Sequence, residues 1–249
     1  MIDYLTVIYK NYDLLYLQLD NFKKRFSDKD YRLIVVDNTP DIEKKKIERK
    51  DEIDIIVEME SSPNTFDGIS HGGAIDASLP FCESDIVCIF DSDFFFLDEN
   101  LNNYIRKKFA EGYIAVGTEW DDGDGTRPWV EKFPKKFENI PCAFGSFYDL
   151  NFAKSQSWIV TQEEVERNKP EGFIEMGWRI RKNILENKLK TFAWKLSPIS
   201  DNDKFFGYGN CFFINEHDRV AGVHYGAGSH VRWNSNTNSE IKKLLNENY

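Results

Sequence analysis

The chain has 249 residues, of which 41% are hydrophobic and 30% are charged, which is enough for one large folded domain with a sizeable core. The formal net charge of -10 disfavours nucleic acid as a partner, because nucleic-acid binding normally requires a basic surface. The sequence has no signal-peptide pattern, and no apolar run approaches the roughly 20 residues of a membrane span. We therefore expect a cytoplasmic protein that binds no nucleic acid, and a peripheral contact with a membrane stays open.

The first 118 residues alternate short apolar runs with helical patterns. This alternation predicts the α/β class, with a mostly parallel central sheet flanked by helices on both faces. The predicted strands are Tyr4–Tyr9, Tyr31–Val36, Ile53–Val57, Asp85–Phe90 and Tyr113–Gly117. The predicted helices are one capped by Asn11 or Asp13, one from Pro40 to about Lys50, Asp67–Phe81 and Leu101–Ala110.

After residue 118 the alternation breaks. The segment Glu119–Ile140 is rich in Asp, Gly, Pro and Trp and has little periodicity, which is typical of a functional loop or lid. Beyond it we predict the strands Ala143–Tyr148, Thr191–Leu196 and Cys211–Ile214. We also predict a short helix after Asp149, a helix from about Phe173 to Asn187, and a terminal helix at Ser239–Asn246.

Two carboxylates follow the strand that is most continuously apolar. Asp91 and Asp93 flank Ser92 directly after this strand, at the edge where open α/β sheets bind ligands. Carboxylate oxygens are ligands that Mg²⁺ and Mn²⁺ prefer, and these cations neutralise charge on substrate phosphates. The motif therefore predicts a divalent-cation site next to a diphosphate. In a simpler alternative, the two aspartates only end the strand and cap the next turn.

Four segments of the first 118 residues carry a resemblance to a known family. They are Tyr9-Lys10-Asn11-Tyr12, Val35-Val36-Asp37-Asn38, Gly68–Asp76 and Asp91-Ser92-Asp93. In order and spacing they resemble the nucleotide-binding half of family 2-type GT-A glycosyltransferases. The resemblance implies a GT-A (Rossmann-like) fold, with residues 1–118 as the nucleotide-sugar-binding half. Residues 119–249 would then be the acceptor-binding and catalytic half of the same single domain.

The resemblance also implies roles for single residues. Tyr9 and Asp37 would contact the base and ribose, Asp91 would face the ribose or the metal, and Asp93 would hold the metal. Further nucleotide-sugar contacts would come from Asn11, His71, Gly72, Asp76 and Ser92. Many relatives carry Asn where this chain has His71 or Asp76, so the sequence departs from the family there.

Two of these positions also have purely structural interpretations. The Asp37 carboxylate can form an Asx turn before Pro40. Gly72 can serve close packing of its helix instead of an approach to a ligand. The residues alone do not decide between these interpretations and the roles that the resemblance implies.

The second half supplies candidates for the base and for a third metal ligand. We expect Glu175, near a helix start, to deprotonate the acceptor hydroxyl, with Asp122 and its neighbours Asp121 and Asp124 as rivals. Residue 176 is Met where the family usually has a second acid. The apolar run Val220–His224 delivers a histidine into a Gly-rich segment, and several GT-A enzymes use such a late His as a metal ligand. The imidazole of His224 would favour Mn²⁺ over Mg²⁺.

Together these features predict a divalent-metal-dependent glycosyltransferase, a hexosyl- or related transferase of class EC 2.4, in polysaccharide biosynthesis. The family resemblance alone implies that the enzyme inverts the anomeric configuration. Its donor would be a UDP- or GDP-sugar, and its acceptor a hydroxyl of a glycan, polysaccharide or lipid-linked molecule. A haloacid dehalogenase-like phosphatase with Asp91 as nucleophile is an alternative. It is disfavoured because that family's motif lies near the N-terminus and has Thr or Val where Phe95 stands here. A non-catalytic module that binds nucleotide-sugar or glycan is a second alternative. A nucleotidyltransferase would carry a Gly-rich basic loop near its start, and none follows Tyr9.

Overall fold

The structure is a computed structural model that describes residues 1–26, 29–59, 67–118, 139–141, 145–167, 176–194, 196–198, 211–214 and 220–224. These residues form eleven strands and six α-helices. The strands are β1 (Ile2–Ile8), β2 (Tyr31–Asp37), β3 (Ile55–Glu58), β4 (Ile86–Asp91), β5 (Phe94–Phe96), β6 (Ala115–Thr118), β7 (Ser146–Asp149), β8 (Thr191–Trp194), β9 (Leu196–Pro198), β10 (Cys211–Ile214) and β11 (Val220–His224). The helices are α1 (Tyr12–Arg25), α2 (Asp67–Ser78), α3 (Leu101–Ala110), α4 (Leu150–Lys154), α5 (Gln162–Arg167) and α6 (Trp178–Glu186).

Seven strands form the central sheet, in the order β3-β2-β1-β4-β7-β6-β8. β1 runs parallel to both β2 and β4, β2 runs parallel to β3, and β6 runs parallel to β8. β7 runs antiparallel to its neighbours β4 and β6. The prediction of a mostly parallel α/β sheet is therefore confirmed, with one reversed strand inside it.

Helices cover both faces of this sheet. Every residue of β1 is buried, as expected for a central strand of a covered parallel sheet. Because side chains alternate along a strand, Tyr4 and Ile8 join the apolar cluster that includes residues of α1 and α3. Leu5 and Val7 join the opposite cluster, which includes residues of α2, α4 and α6. The carboxyl ends of β1, β2 and β4 thus emerge at one edge of a rigid, two-sided core.

A second, four-stranded sheet has the order β5-β11-β10-β9. β5 follows β4 after a turn at Ser92 and Asp93, and it pairs antiparallel with β11 so that Phe94 lies opposite His224. β5 is not among the strands predicted from the sequence. This strand matters for the site because it places the late strand β11 beside the end of β4.

The lysine-rich segment after Pro40 is predicted as a helix, and this prediction is wrong. The structure has only short 3-10 turns, at Asp41–Glu43 and Lys50–Glu52. Between them, the backbone N–H groups of Lys45 and Glu48 donate to the hydroxyls of Tyr12 and Tyr16 on α1, at 3.0 and 3.1 Å. The segment lacks a continuous apolar stripe, so tertiary hydrogen bonds replace helical ones.

Other predicted elements fall partly or wholly outside the described residues. The short helix after Asp149 is confirmed as α4, and the Asp149 carboxylate accepts from the backbone N–H of Phe152 at 2.8 Å. The predicted loop Glu119–Ile140 lies outside them except for residues 139–140, and the predicted helix Ser239–Asn246 lies outside them entirely. No helix within the described ranges is long and apolar enough to cross a membrane.

Helix α2 is held against the chain segment that follows α4. The Asp76 carboxylate accepts from the backbone N–H of Trp158 at 2.9 Å and from the Ser157 hydroxyl at 3.1 Å. One helical turn earlier on the same helix face, Gly72 also meets Trp158. A Cβ added at Gly72 would lie 2.3 Å from the Trp158 carbonyl oxygen, whereas one added at Gly73 would have no atom within 4 Å. The missing side chain at Gly72 is thus what allows this close approach.

We expect Gly72→Ala to lower the free energy of unfolding by about 1–3 kcal/mol, because the added methyl group would collide with backbone atoms that must then move. Gly73→Ala is the matched control. It should be neutral or stabilising by up to about 1 kcal/mol, because alanine has the higher helix propensity. Urea unfolding of both variants checks the pair. Equal stability of the two variants would contradict the close contact between α2 and Trp158.

Candidate functional site

The structure brings together the three residues that the sequence analysis predicts as metal ligands. Nε2 of His224 lies 3.3 Å from Oδ2 of Asp91 and 3.1 Å from Oδ1 of Asp93. The three side chains each offer one ligand atom, and these atoms lie within 4.8 Å of one another. Asp91 ends β4, Asp93 lies in the turn between β4 and β5, and His224 ends β11. The cluster therefore depends on both sheets.

This cluster is largely removed from solvent, and its electrostatics favour a positive charge. The side chains of Asp93 and His224 are 7% and 13% exposed, and that of Asp91 is 28% exposed. Burial lowers the pKa of His224, but the charge of Asp93 and hydrogen bonds to both carboxylates outweigh it and raise the pKa to about 10. Two carboxylates held this close repel each other unless a cation lies between them.

The donor set fits a divalent cation. Two carboxylate oxygens and one imidazole nitrogen, on side chains that already converge, are ligands suited to Mn²⁺, whereas Mg²⁺ prefers oxygen alone. A divalent cation would supply the positive charge that the imidazolium supplies in this arrangement. Asp91, Asp93 and His224 are therefore the residues that would hold it.

The ends of β1 and β2 contribute a second group of predicted site residues. Asp37 ends β2 and is 2% exposed. Its carboxylate accepts from the Tyr12 hydroxyl at 2.8 Å and from the backbone N–H of Thr39 at 3.0 Å. The second bond is the Asx turn that the sequence analysis gives as the structural interpretation of Asp37. Tyr12, which belongs to the Tyr9–Tyr12 motif but is not a predicted site residue, is thus a direct partner of Asp37.

The chain turns sharply just after β1, beside these residues. Lys10 has a φ of 63°, in the left-handed region that a side chain rarely adopts. Its backbone N–H donates to the Thr39 hydroxyl at 2.9 Å, and its ammonium group lies 4.9 Å from the centre of the Tyr9 ring. Asn11 follows and precedes α1 as its N-cap residue. Tyr9 and Asn11 therefore lie at the carboxyl end of β1, next to the end of β2.

The remaining predicted site residues belong neither to the metal-ligand cluster nor to the group at the ends of β1 and β2. Gly72 and Asp76 contact the Trp158 segment, so their structural interpretation is supported and their contact with a donor stays a prediction. His71 is half-buried on α2, and Ser92 is 9% exposed in the turn after β4. The predicted bases Glu175 and Asp122 lie outside the described residues, as do Asp121 and Asp124.

Two residues on α1 that contact the turn carrying the carboxylates are not among the predicted site residues. The side chains of Gln18 and Asn21 are each 1% exposed and donate to backbone carbonyls between Asp91 and Phe96. A signal for them was present, because Gln18 follows Leu14 and Leu15 at the spacing of the apolar face. A polar residue at a core-facing position indicates a buried hydrogen-bonding role.

Comparison with solved structures identifies the fold. The galactosyltransferase LgtC, solved in complex with donor and acceptor sugar analogs, matches with a TM-score of 0.55 and 14% identity. The match covers 98% of this chain and 96% of LgtC. This chain therefore has the GT-A fold, as the motif resemblance implies. A match at this identity shows the fold alone, and it does not distinguish family 2 from other GT-A families.

Two other solved structures match over shorter regions. TarS of S. aureus matches with a TM-score of 0.46 and 16% identity, over 65% of this chain and 30% of TarS. The mannosyltransferase PcManGT from Pyrobaculum calidifontis, in complex with GDP-Man and Mn²⁺, matches with a TM-score of 0.47 and 15% identity, over 73% of this chain and 60% of PcManGT. The matched region thus spans 30% of TarS and 60% of PcManGT, which is less than two thirds of either protein. No protein-family model and no curated protein sequence matches it.

The mixed ligand set predicts a preference between cations. We expect His224→Asp to lower the ratio of Mn²⁺ affinity to Mg²⁺ affinity, because the variant replaces the nitrogen ligand with oxygen. Calorimetric titration of each cation into the full chain measures both dissociation constants. Asn187→Asp, which adds the same charge at the exposed end of α6, is the control and should leave the ratio unchanged. An unchanged ratio in His224→Asp would remove His224 from the ligand set.

Proposed function

We propose that this chain is a glycosyltransferase that moves a sugar from a nucleotide-sugar donor to a hydroxyl acceptor. The observation that carries the proposal is the convergence of Asp91, Asp93 and His224 at the carboxyl end of β4, within a GT-A fold. In open α/β sheets this edge is where ligands bind. A cluster that can hold a divalent cation at that edge suits a donor with a diphosphate group.

The fold supports this class of reaction over the alternatives. The LgtC structure holds donor and acceptor sugar analogs, and the match extends over nearly all of both chains. A phosphatase of the haloacid dehalogenase type would need Asp91 as a nucleophile, whereas here Asp91 and Asp93 share one histidine. A non-catalytic binding module would retain the same contacts to a donor, so only a transfer assay separates it from an enzyme.

The three converging side chains would hold Mn²⁺ or Mg²⁺, and the histidine argues for Mn²⁺. When bound, the cation would neutralise negative charge on the donor's diphosphate leaving group. The chain's own contribution is to fix the carboxylates and the imidazole at the end of β4, in the turn before β5 and at the end of β11, so that little reorganisation is needed when the donor binds.

The ends of β1 and β2 would bind the nucleoside of a UDP- or GDP-sugar. Asp37 already accepts from Tyr12 and Thr39, but each carboxylate oxygen can accept a second hydrogen bond. A base N–H or a ribose hydroxyl would be the further donor. Tyr9 would contact the same nucleoside, because it lies at the end of the adjacent strand. Residues 1–118 would thus form the nucleotide-sugar half, and residues 119–249 the acceptor half.

The acceptor would be a hydroxyl of a glycan, a polysaccharide or a lipid-linked sugar. The proposed base is Glu175, with Asp122 as the rival, and both assignments come from the motif resemblance. The same resemblance favours inversion at the anomeric carbon. Proton NMR of the freshly formed product reads the anomeric configuration directly, and a retained configuration would contradict inversion.

We expect Asp93→Ala to abolish sugar transfer and the Mn²⁺-dependent part of nucleotide binding, since the variant removes a buried ligand. Thermal unfolding with UDP- and GDP-sugars, with and without Mn²⁺, measures this binding as a shift in Tm. Asp85→Asn removes an exposed carboxylate just before the other end of β4 and is the control. Wild-type transfer by Asp93→Ala would end the metal proposal. Release of phosphate from a chromogenic ester would favour the phosphatase instead.

We expect Glu175→Gln to lower the rate of transfer by about 100-fold or more while donor affinity stays at the wild-type level, because a general base acts on the acceptor alone. Steady-state kinetics and donor titration separate the two effects. Asp122→Asn is the matched variant, since it removes the rival carboxylate in the same way. If Asp122→Asn carries the loss and Glu175→Gln does not, the base is Asp122.

A further inference from the structure

Helix α1 reaches the turn that carries the metal-binding carboxylates through one amide side chain. Nε2 of Gln18 donates to the backbone carbonyl oxygen of Asp91 at 3.1 Å and to that of Phe94 at 3.4 Å. Both partners are acceptors, so the side-chain nitrogen must face them and the orientation of the amide is settled. Gln18 therefore bridges the residue that enters the turn and the residue that leaves it.

The bridged residues carry or position all three ligands of the candidate metal centre. Asp91 is itself a ligand, and Asp93 lies in the turn between the two bridged carbonyls. Phe94 is the residue of β5 that pairs with His224 on β11. A change in the separation of the two carbonyls would therefore move the carboxylates relative to each other and relative to the imidazole.

A second amide on the same face of α1 holds the strand that follows the turn. Asn21 donates to the backbone carbonyl of Phe96 at 2.8 Å and accepts from its N–H at 2.9 Å. This two-way pair takes the place of a neighbouring strand on one edge of β5, while β11 pairs with the other edge. β5 is thus fixed on both sides, and Gln18 acts on the turn at its start.

The burial of the Gln18 side-chain oxygen is costly for stability. The side chain is 1% exposed, and among the described residues its Oε1 atom has no hydrogen-bond partner. A buried acceptor without a partner destabilises a fold, and an apolar side chain would not carry such an acceptor. Neighbours on the same helix face, such as Leu15 and Phe22, are apolar and fully packed. The amide at this position is therefore better explained by its effect on the geometry of the turn from Asp91 to Phe94 than by a contribution to the stability of the fold.

We propose that Gln18 is a positioning residue for the metal centre: by bridging the carbonyls of Asp91 and Phe94 it sets the spacing of the carboxylates that bind the cation. The inference rests on the proposed function, because it assumes that Asp91 and Asp93 hold a metal. It extends that function to a helix residue that does not itself touch the cation.

The test is the affinity of the full chain for Mn²⁺ alone, measured from the electron paramagnetic resonance signal of free Mn²⁺. Gln18→Met keeps the length of the side chain and the helix propensity but removes both donors. We expect it to weaken Mn²⁺ binding by about tenfold or more, as substitutions behind metal ligands commonly do. Leu15→Met also introduces a methionine on the same face of α1. It is the matched control and should bind Mn²⁺ as the wild type does.

Three further outcomes each decide the question. Wild-type Mn²⁺ affinity in Gln18→Met overturns the positioning role and leaves the proposed function intact. Failure of the wild-type chain to bind Mn²⁺ overturns the proposed Mn²⁺ site and this inference together. Gln18→Leu serves as a second variant if Gln18→Met does not fold, and loss of the fold in both would show that the two bonds hold the fold itself, which also contradicts the proposal.

Discussion

The antiparallel pairing of β5 with β11 is the contact on which the candidate site depends. The carboxylates of Asp91 and Asp93 come from the end of an early parallel strand, whereas His224 comes from a strand near the other end of the chain. Only the register that sets Phe94 opposite His224 brings the imidazole to both carboxylates. The central sheet supplies a rigid edge, and the smaller sheet supplies the third side chain at that edge.

The parts of the fold that could be predicted are those whose burial is recorded in the local sequence. β1, β2 and β4 are covered on both faces, so they read as continuous apolar runs and were found close to their observed bounds. The rule that ligands bind at the carboxyl ends of parallel strands then selected Asp91 and Asp93. The resemblance to GT-A enzymes added His224, which the structure places in contact with both.

The parts that could not be predicted depend on tertiary hydrogen bonds. A helix after Pro40 was expected because local composition does not reveal that Tyr12 and Tyr16 take up the backbone N–H groups there. β5 is only three residues long, and its apolar run directly after the carboxylates fits a packed turn as well as a strand. The spacing of Gln18 places it on the buried face of α1, but the local pattern does not reveal which carbonyls it contacts. Each error arose where a distant partner outweighed the local pattern.

Because the candidate metal ligands come from two sheets, cation binding would also affect the stability of the contact between those sheets. A cation bound by Asp91, Asp93 and His224 would link the strand pair β10–β11 to the large sheet, because its ligands come from both sheets. Because the free energy of such binding adds to that of the ordered state, occupancy by the ion and order in the late strands would rise and fall together.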